Sequence, residues 1–285
     1  KRGYEIFYYN PYNLFYNEGL VQAHGFKIEL IESDNNYFKY LTSETLLNLN
    51  DFKFIFIRQD PPFDMNYITS TYLLEYLNVD TILINNPASI RNFSEKISTF
   101  NFKKFIAPTI VSQNTKILSN FLFKYKDIIT KPLYGNGGDG IFRSTTADGK
   151  LLGLKSDKKI LDEPLIAQKY IPDITEGDRR IILIDGEYAG SVARMPKKDS
   201  IKANFHAGGV AKKIGLIRRD KEICTALGQF LKENDLFFVG IDIIGDYLTE
   251  INVTSPTGIK QINDLNNTKL EKIFWDKLEI KYKLV

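Results

Sequence analysis

Three oxygen-donor side chains lie close together near the end of the sequence. Asp242 comes before a Gly245–Asp246 turn, and Glu250 and Asn252 follow it within a second apolar segment. The pattern predicts a β-hairpin on which Glu250 and Asn252 face the same side, with Asp242 on the partner strand. Hard oxygen ligands in this arrangement suit Mg²⁺. An ordinary solvent-facing hairpin with polar alternation explains the spacing equally well.

A glycine-rich segment follows a predicted strand at residues 127–133. Four of the six residues from Gly135 to Gly140 are glycines, which lets backbone N–H groups turn toward an anion. The segment lacks the Walker pattern, because its lysine, Lys131, precedes the glycines. Lys131 interrupts an apolar strand and could meet a phosphate as a point charge. A plain turn is the alternative interpretation.

Other charged or polar residues lie at predicted strand ends. Arg180 begins one strand and Arg194 ends the next, and arginines in such places can bind a carboxylate or an acyl phosphate. The backbone of residues 168–171, at the end of another strand, could contact an adenine ring. Surface arginines and a plain core strand are the competing interpretations.

The composition restricts the function classes. The 285 residues are 43 % hydrophobic and 26 % charged, which is typical of a globular enzyme. The net charge of +3 is spread along the chain, so nothing indicates nucleic-acid binding, and no apolar run is long enough for a membrane span. We expect a cytoplasmic protein. The single Cys224 excludes an internal disulfide and is expected to pack as an apolar side chain, and no Ser/His/Asp set stands out.

Apolar patterning predicts an α/β fold in two parts. Strands and a helix alternate before about residue 92, which indicates a parallel sheet. After about residue 92 the pattern of apolar segments changes. The predicted strands are residues 4–9, 25–30, 52–57, 81–85, 107–112, 127–133, 165–171, 179–185, 189–194, 237–244 and 247–253; the predicted helices are 66–77, 94–104, 115–125 and 220–234; residues 197–209 are predicted to be a loop.

Segments in a fixed order along the chain resemble the prokaryotic glutathione synthetase family of the ATP-grasp superfamily. They are RQDPPFD, SEK, ITKPLYGNGGDGIFR, AQKYIP, GDRRIILIDGE, ARMP, GG and FVGIDIIGDYLTEINVTSPTGI. The resemblance implies a composite α/β (α+β) chain with an ATP-grasp fold at 93–285, comprising a lid subdomain at about 93–165 and a catalytic subdomain at about 166–285. A substrate-side α/β domain at 1–92 comes first and is expected to lack its first strand and most of its first helix.

The resemblance also implies an activity. Such enzymes use ATP and Mg²⁺ or Mn²⁺ to join γ-glutamylcysteine to glycine through an acyl phosphate, giving glutathione, ADP and phosphate. It further implies small-molecule partners and a homotetramer. The alternatives are another ATP-grasp carboxylate–amine ligase, or a nucleotide-binding protein inactivated by loss of its first strand.

The residues that match the family's motifs fall into four groups by their implied role. The resemblance also implies that residues 197–209 form a second loop that shields the intermediate. The glycine loop departs from the family, in which it is closer to DGMGG. The implied nucleotide-binding residues are Lys96 and Lys131 (phosphates), Gly135, Asn136, Gly137 and Gly138 (lid), Gln168, Lys169, Tyr170 and Ile171 (adenine) and Asp178 (ribose); the catalytic residues are Arg180, Arg194 and Asn252; the substrate-binding residues are Arg58, Asp60, Arg194, Asn252, Ser255 and Thr257; the metal ligands are Asp242, Glu250 and Asn252.

Overall fold

The structure is a computed structural model that describes residues 2–31, 37–135, 137–151, 159–197 and 208–284. The chain divides into two compact units, Lys1–Asn92 and Phe93–Val285. None of the helices in these ranges is long and apolar enough to cross a membrane.

An antiparallel sheet forms much of the first unit. Strand β1 (Ile6–Asn17) pairs with β2 (Leu20–Leu30), and β2 also pairs with β3 (Phe38–Tyr40) and β4 (Thr45–Asn48). Side chains alternate along the strands, so that one face of the sheet contributes to the core, where Val21 and Ala23 are fully buried. The predicted strands at 4–9 and 25–30 are therefore parts of longer ones, and β3 and β4 were not predicted.

A parallel strand pair completes the first unit. Strands β5 (Phe54–Phe56) and β6 (Ile82–Ile84) are parallel, helix α1 (Met65–Leu74) connects them and α2 (Pro87–Asn92) follows. This confirms the predicted strand–helix–strand unit. Asp64, the last residue of the DPPFD segment, caps α1 by accepting the backbone N–H groups of Asn66 and Tyr67 at 2.9 and 3.0 Å.

The second unit contains two sheets. In the smaller one the order is β7–β10–β8–β9, and helix α3 (Thr115–Tyr125) contacts three of its strands. The glycine-rich segment connects β8 to β9, so it leaves the sheet at its edge. The strands are β7 (Thr109–Asn114), β8 (Asp127–Pro132), β9 (Phe142–Thr145) and β10 (Ile160–Lys169).

The larger sheet is antiparallel throughout, in the order β13–β12–β11–β14–β15. Its central strands, β11 and β14, are buried almost throughout because helices cover them. The strands are β11 (Asp178–Ile184), β12 (Glu187–Met195), β13 (Val210–Lys212), β14 (Phe238–Ile244) and β15 (Tyr247–Asn252); the helices are α4 (Arg218–Glu233), α5 (Ile259–Asn266) and α6 (Leu270–Lys281).

The predicted helix at 94–104 is wrong in type. Residues Ile97–Phe105 form a 3₁₀ helix that is broken at Phe102, where φ is −120° and ψ is 50°. The hydroxyls of Ser98 and Thr99 donate to the carbonyl oxygens of Ser94 and Lys96, both at 2.6 Å. Such side-chain bonds compete with the regular helical pattern. Strands β9 and β13, with four and three residues, were too short to be predicted.

Two glycines allow helix α4 to lie against the β11–β12 turn. A Cβ atom on Gly228 would lie 2.6 Å from the carbonyl oxygen of Gly186, which is backbone and cannot move aside. We expect Gly228→Ala to lower the free energy of unfolding by about 2 kcal/mol, typical of overpacking, although alanine favours a helix by about 1 kcal/mol over glycine. Urea unfolding measures this. Gly215→Ala, where nothing lies within 4 Å, is the control and should be near neutral. Greater stability of Gly228→Ala would contradict the close approach.

Candidate active site

The β14–β15 hairpin places the three oxygen-donor residues on one face. Asp242 pairs directly with Glu250, and Gly240 pairs with Asn252, so these side chains lie on the same side of the sheet. The pairing shifts by one residue beyond Asp242, where Thr249 is the extra residue. The Thr249 hydroxyl donates to the carbonyl oxygen of Asp242 at 3.0 Å, which stabilises this bulge.

Two arginines and two aspartates on neighbouring strands form a buried arginine–aspartate cluster, consisting of Asp178, Arg180, Arg194 and Asp242. Arg180 donates to both carboxylate oxygens of Asp242, from Nε at 2.6 Å and from Nη2 at 2.8 Å. Arg194 donates in the same bidentate way to Asp178, with both distances 2.6 Å. Its Nη2 also lies 2.9 Å from Oδ1 of Asp242.

Asp242 is the centre of this cluster. Besides the three guanidinium contacts, its Oδ2 accepts the side-chain amide of Asn252 at 3.3 Å. Burial alone would raise the pKa of Asp242, but the charges and hydrogen bonds of Arg180 and Arg194 outweigh it and hold that pKa well below its ordinary value. Burial raises the pKa of Asp178 to about 6, with Arg194 opposing the rise.

Two lysines and two glutamates form a second, lysine–glutamate cluster: Glu95, Lys96, Lys131 and Glu250. The Lys96 ammonium is buried and donates to Oε1 of Glu95 and to the carbonyl oxygen of Gly135, both at 2.7 Å. Lys131 donates to Oε1 of Glu250 at 3.1 Å. The contact between Lys96 and Gly135 ties the glycine-rich loop to this cluster.

The charges of this second cluster stabilise one another. Burial alone would raise the pKa of Glu250, but Lys131 and Lys96 hold it below its usual value. Burial opposes the charge on Lys96, yet Glu250 and Glu95 raise the pKa of that ammonium. Burial and the charge of Glu250 raise the pKa of Glu95. Glu250 and Lys96 therefore carry their charges at neutral pH.

The segment after β15 folds back over Arg180. Its Nη1 atom donates to the carbonyl oxygen of Thr257 at 3.1 Å. Gly240 provides the space, because a Cβ atom there would lie 2.8 Å from Pro256 and 3.4 Å from the Arg180 guanidinium. Ser255 belongs to the same segment and is half-buried. The segment and the arginine–aspartate cluster are thus adjacent.

The end of β10 leaves backbone groups without strand partners. The Lys169 amide donates to the carbonyl oxygen of Pro108 at 2.9 Å, but proline has no N–H with which to donate back. The Tyr170 amide donates to Asp127 at 3.0 Å. Within the described residues, the amide of Ile171 has no backbone acceptor. A carbonyl and an amide two residues apart are therefore available, and Gln168 is held in the strand by its side chain, which donates to the hydroxyl of Thr109 at 3.0 Å.

Two residues at the site were not singled out by the sequence. Arg143 on β9 stacks on the Tyr170 ring at 3.7 Å and forms a bidentate pair with Asp127 at 2.9 and 2.7 Å. Glu95 contacts Lys96, and its position beside Lys96 in the sequence was the available signal. Cys224 packs in the core as expected, and burial raises the pKa of its thiol to about 12.

The remaining predicted residues belong to the first unit or to the predicted loops. Arg58 and Asp60 belong to the first unit, where Arg58 lies just beyond the C-terminal end of β5. Burial lowers the pKa of the Arg58 guanidinium, and the nearby charge of Asp60 opposes this. Gly137 and Gly138 both have positive φ, as only glycine readily allows. Asn136 and residues 198–207 of the predicted second loop lie outside the described residues.

The donor set fits a hard divalent cation. The set consists of two carboxylates, Asp242 and Glu250, and the amide oxygen of Asn252. Within the described residues no group of three His, Cys, Asp or Glu side chains could hold a metal ion. Both carboxylates are held anionic, and all three residues project from one rigid hairpin. Mg²⁺ needs few protein ligands because it takes others from water and phosphate.

Two solved enzyme structures have a similar fold. A RiPP-associated ATP-grasp ligase from Chryseobacterium gregarium, in complex with ADP and a leader and core peptide, superposes with a TM-score of 0.58 at 16 % identity, over 91 % of this chain and 85 % of that one. A D-cycloserine synthetase gives a TM-score of 0.56 at 14 % identity, over 76 % and 80 %. The chain therefore shares its fold with these two enzymes.

Comparison with related sequences identifies the protein family. The model of the prokaryotic glutathione synthetase N-terminal domain matches residues 1–91, and that of its ATP-grasp domain matches residues 95–267. The glutathione synthetase of Brucella melitensis is 42 % identical over 280 residues, 98 % of this chain and 89 % of the relative. That of Anaplasma centrale is 39 % identical over 283 residues, with 98 % and 89 % covered. The chain belongs to the prokaryotic glutathione synthetase family, as its motifs indicated.

Proposed function

We propose that this protein joins γ-glutamylcysteine to glycine at the expense of ATP, forming glutathione, ADP and phosphate. The observation that carries the proposal is the pair of charged clusters, one around Asp242 and one around Glu250, whose two carboxylates are neighbours on one face of the larger sheet. The chain that holds them matches its family over nearly its whole length. A carboxylate–amine ligase must neutralise a polyphosphate and an acyl phosphate at one place, and these clusters supply four cations.

The nucleotide would lie between the glycine-rich loop and the strands below it. Lys96 and Lys131 would hold its phosphates, with the backbone of Gly135 to Gly140, Asn136 included, closing over them. The free carbonyl of Lys169 and the free amide of Ile171 match the donor and acceptor edge of adenine. Asp178 would contact the ribose, although in this arrangement its carboxylate is bonded to Arg194.

Asp242, Glu250 and Asn252 would hold the metal. When bound, Mg²⁺ (or Mn²⁺) would neutralise phosphate oxygens and stabilise the charge that develops during phosphoryl transfer. In the arrangement described, Asp242 accepts four N–H contacts, which is about the capacity of a carboxylate. Asp242 would therefore release one of these contacts on binding a cation, while Glu250 has one hydrogen-bond partner, Lys131, in the described part of the chain.

The arginines and the substrate segments would act on the acyl group. A carboxylate oxygen of γ-glutamylcysteine attacks the γ-phosphorus of ATP and ADP leaves. The glycine amine then attacks the acyl carbon and loses its proton, and phosphate departs with the former carboxylate oxygen. Arg180, Arg194 and Asn252 would stabilise the negative charge at these steps. Arg58, Asp60, Ser255 and Thr257 would bind substrate.

Two further features belong to this proposal. The family resemblance supports a homotetramer, and a cytoplasmic location would supply the ATP and the reduced cysteine that the reaction needs. Both substrates are small molecules. Size-exclusion chromatography with light scattering tests the assembly.

An ADP-release assay tests the activity. The purified chain is given Mg-ATP with γ-glutamylcysteine and glycine, then with each omitted in turn. Release that requires both substrates supports the proposal. Release only with a different acid–amine pair would favour another ATP-grasp ligase. In such an enzyme the residues around Arg58, Asp60 and 255–258 would bind a different substrate. Nucleotide binding without any turnover would favour an inactive binding protein.

A further inference from the structure

Glu95 is fixed beside the metal-binding hairpin by its backbone. Its carbonyl oxygen accepts the amide of Ile251 at 2.9 Å. Ile251 lies between Glu250 and Asn252 on β15, the strand at the edge of the larger sheet. The segment that carries Glu95 and Lys96 is thus attached to that edge next to two of the proposed metal ligands.

The side chain of Glu95 directs a buried cation. Its Oε1 lies 2.7 Å from Nζ of Lys96, a residue only 4 % exposed. An ammonium has three N–H bonds. Within the described residues, Glu95 and the carbonyl oxygen of Gly135 accept two of them, which leaves one for an oxygen of a ligand.

A second carboxylate, that of Glu250, also acts electrostatically on Lys96. The charge of Glu250, like that of Glu95, raises the pKa of Lys96, but the hydrogen bond of Lys96 is to Glu95. If Glu95 were replaced by a short neutral residue, the carboxylate of Glu250 would remain to attract the Lys96 ammonium. That pairing would remove a cation from the phosphates and a ligand from the metal at the same time.

We propose that Glu95 is a positioning residue of the nucleotide site, which holds the Lys96 ammonium toward the phosphates and away from Glu250. This inference rests on the proposed function, since it assigns Lys96 to ATP phosphates. Glu95 acts through Lys96 and does not itself contact the reacting atoms. Its role is distinct from the structural one of its backbone, which any residue at this position retains.

The experiment compares three variants by direct titration with ATP and Mg²⁺ in a calorimeter and by steady-state kinetics. Glu95→Ala should weaken ATP binding and raise KM for ATP about tenfold, as expected for loss of one charge-assisted hydrogen bond. KM for glycine should stay within about twofold on the same reasoning. Glu95→Gln keeps an acceptor of the same shape and should fall between Glu95→Ala and the parent chain. Glu187→Ala, which removes an exposed glutamate paired with Lys232 and Lys277, is the matched control.

A double-mutant cycle separates positioning from a general loss of structure. If Glu95 works through Lys96, adding Glu95→Ala to Lys96→Met should change ATP affinity by less than about twofold. Additive losses, equal changes in KM for ATP and glycine, or unchanged ATP affinity in Glu95→Ala would each overturn the inference while leaving the proposed function intact. Failure of the parent chain to bind ATP would instead refute the proposed function.

Discussion

Asp242→Asn is expected to lower both stability and turnover, each by a large amount. The free energy of unfolding should fall by about 3–5 kcal/mol, typical when one partner of a buried ion pair is removed. Turnover should fall by on the order of 10²-fold or more, the cost of losing one electrostatic stabiliser at a reacting centre.

The reason is that Asp242 serves two arginines at once. It is 3 % exposed, and it accepts N–H groups from Arg180 and Arg194. Asparagine has no charge, and its amide nitrogen would point at a guanidinium donor. Two buried guanidinium groups would then share the single carboxylate of Asp178. The metal set would lose one of its two carboxylates as well.

Urea unfolding and the ADP-release assay measure the two effects. Asp246→Asn is the matched control, because Asp246 lies in the turn of the same hairpin and its side chain is exposed. This control should keep parent stability and activity. An Asp242→Asn variant as stable as the parent would show that the arginine–aspartate cluster contributes nothing to the fold.

Glu250→Gln, unlike Asp242→Asn, should have a large effect on turnover but only a small effect on stability. Turnover is expected to fall by on the order of 10²-fold through a weaker metal site. The free energy of unfolding should change by less than about 1 kcal/mol, because Glu250 is only partly buried and, among the residues that the structure describes, makes one ion pair, with Lys131.

A Mg²⁺ titration of turnover distinguishes loss of a metal ligand from loss of structure. The concentration of Mg²⁺ at half-maximal turnover should rise in Glu250→Gln, and high Mg²⁺ should restore part of the rate. Glu187→Gln is the control at an exposed ion pair of the same unit. A near-parent rate with an unchanged Mg²⁺ dependence would remove Glu250 from the metal site.

The hairpin shows how far the sequence could predict the site. Apolar alternation and the Gly245–Asp246 turn predicted both strands. A regular two-residue turn, however, would pair Asp242 with Thr249 and leave Glu250 on the opposite face. The bulge at Thr249 pairs Asp242 with Glu250 instead. A bulge depends on packing and on the local hydrogen bond of Thr249, so residue spacing alone could not establish it.

The first unit shows a different limit of prediction from the sequence. The parallel strand–helix–strand part followed from short apolar runs and turn residues. The long hairpin of β1 and β2 did not, because Pro11 divides the first strand in the sequence. In the structure the pairing shifts between Tyr9 and Leu14, which accommodates a residue that cannot donate to a strand. The turn uses Glu18 and Gly19, both with positive φ.

The ion pairs of the site were the least predictable part. The sequence indicated that Arg180, Arg194, Lys96 and Lys131 carried chemistry, by their places at strand ends and by family resemblance. The contacts of the two arginines depend on the register of β11, β12 and β14, and those of the two lysines depend on how β8 and the segment before the 3₁₀ helix pack near Glu250. Neither can be predicted from residue spacing. Asp178 illustrates this, since resemblance assigned it to the ribose and the structure pairs it with Arg194.

Transfer of ¹⁸O tests the central claim, that a carboxylate is activated by phosphorylation before the amine attacks. γ-Glutamylcysteine labelled in its acceptor carboxylate is incubated with the chain, Mg-ATP and glycine, and the phosphate is analysed by mass spectrometry. One labelled oxygen in each phosphate, formed in step with glutathione, is the predicted result. Unlabelled phosphate alongside product would contradict the acyl-phosphate route and the assignment of Arg180 and Arg194 to it.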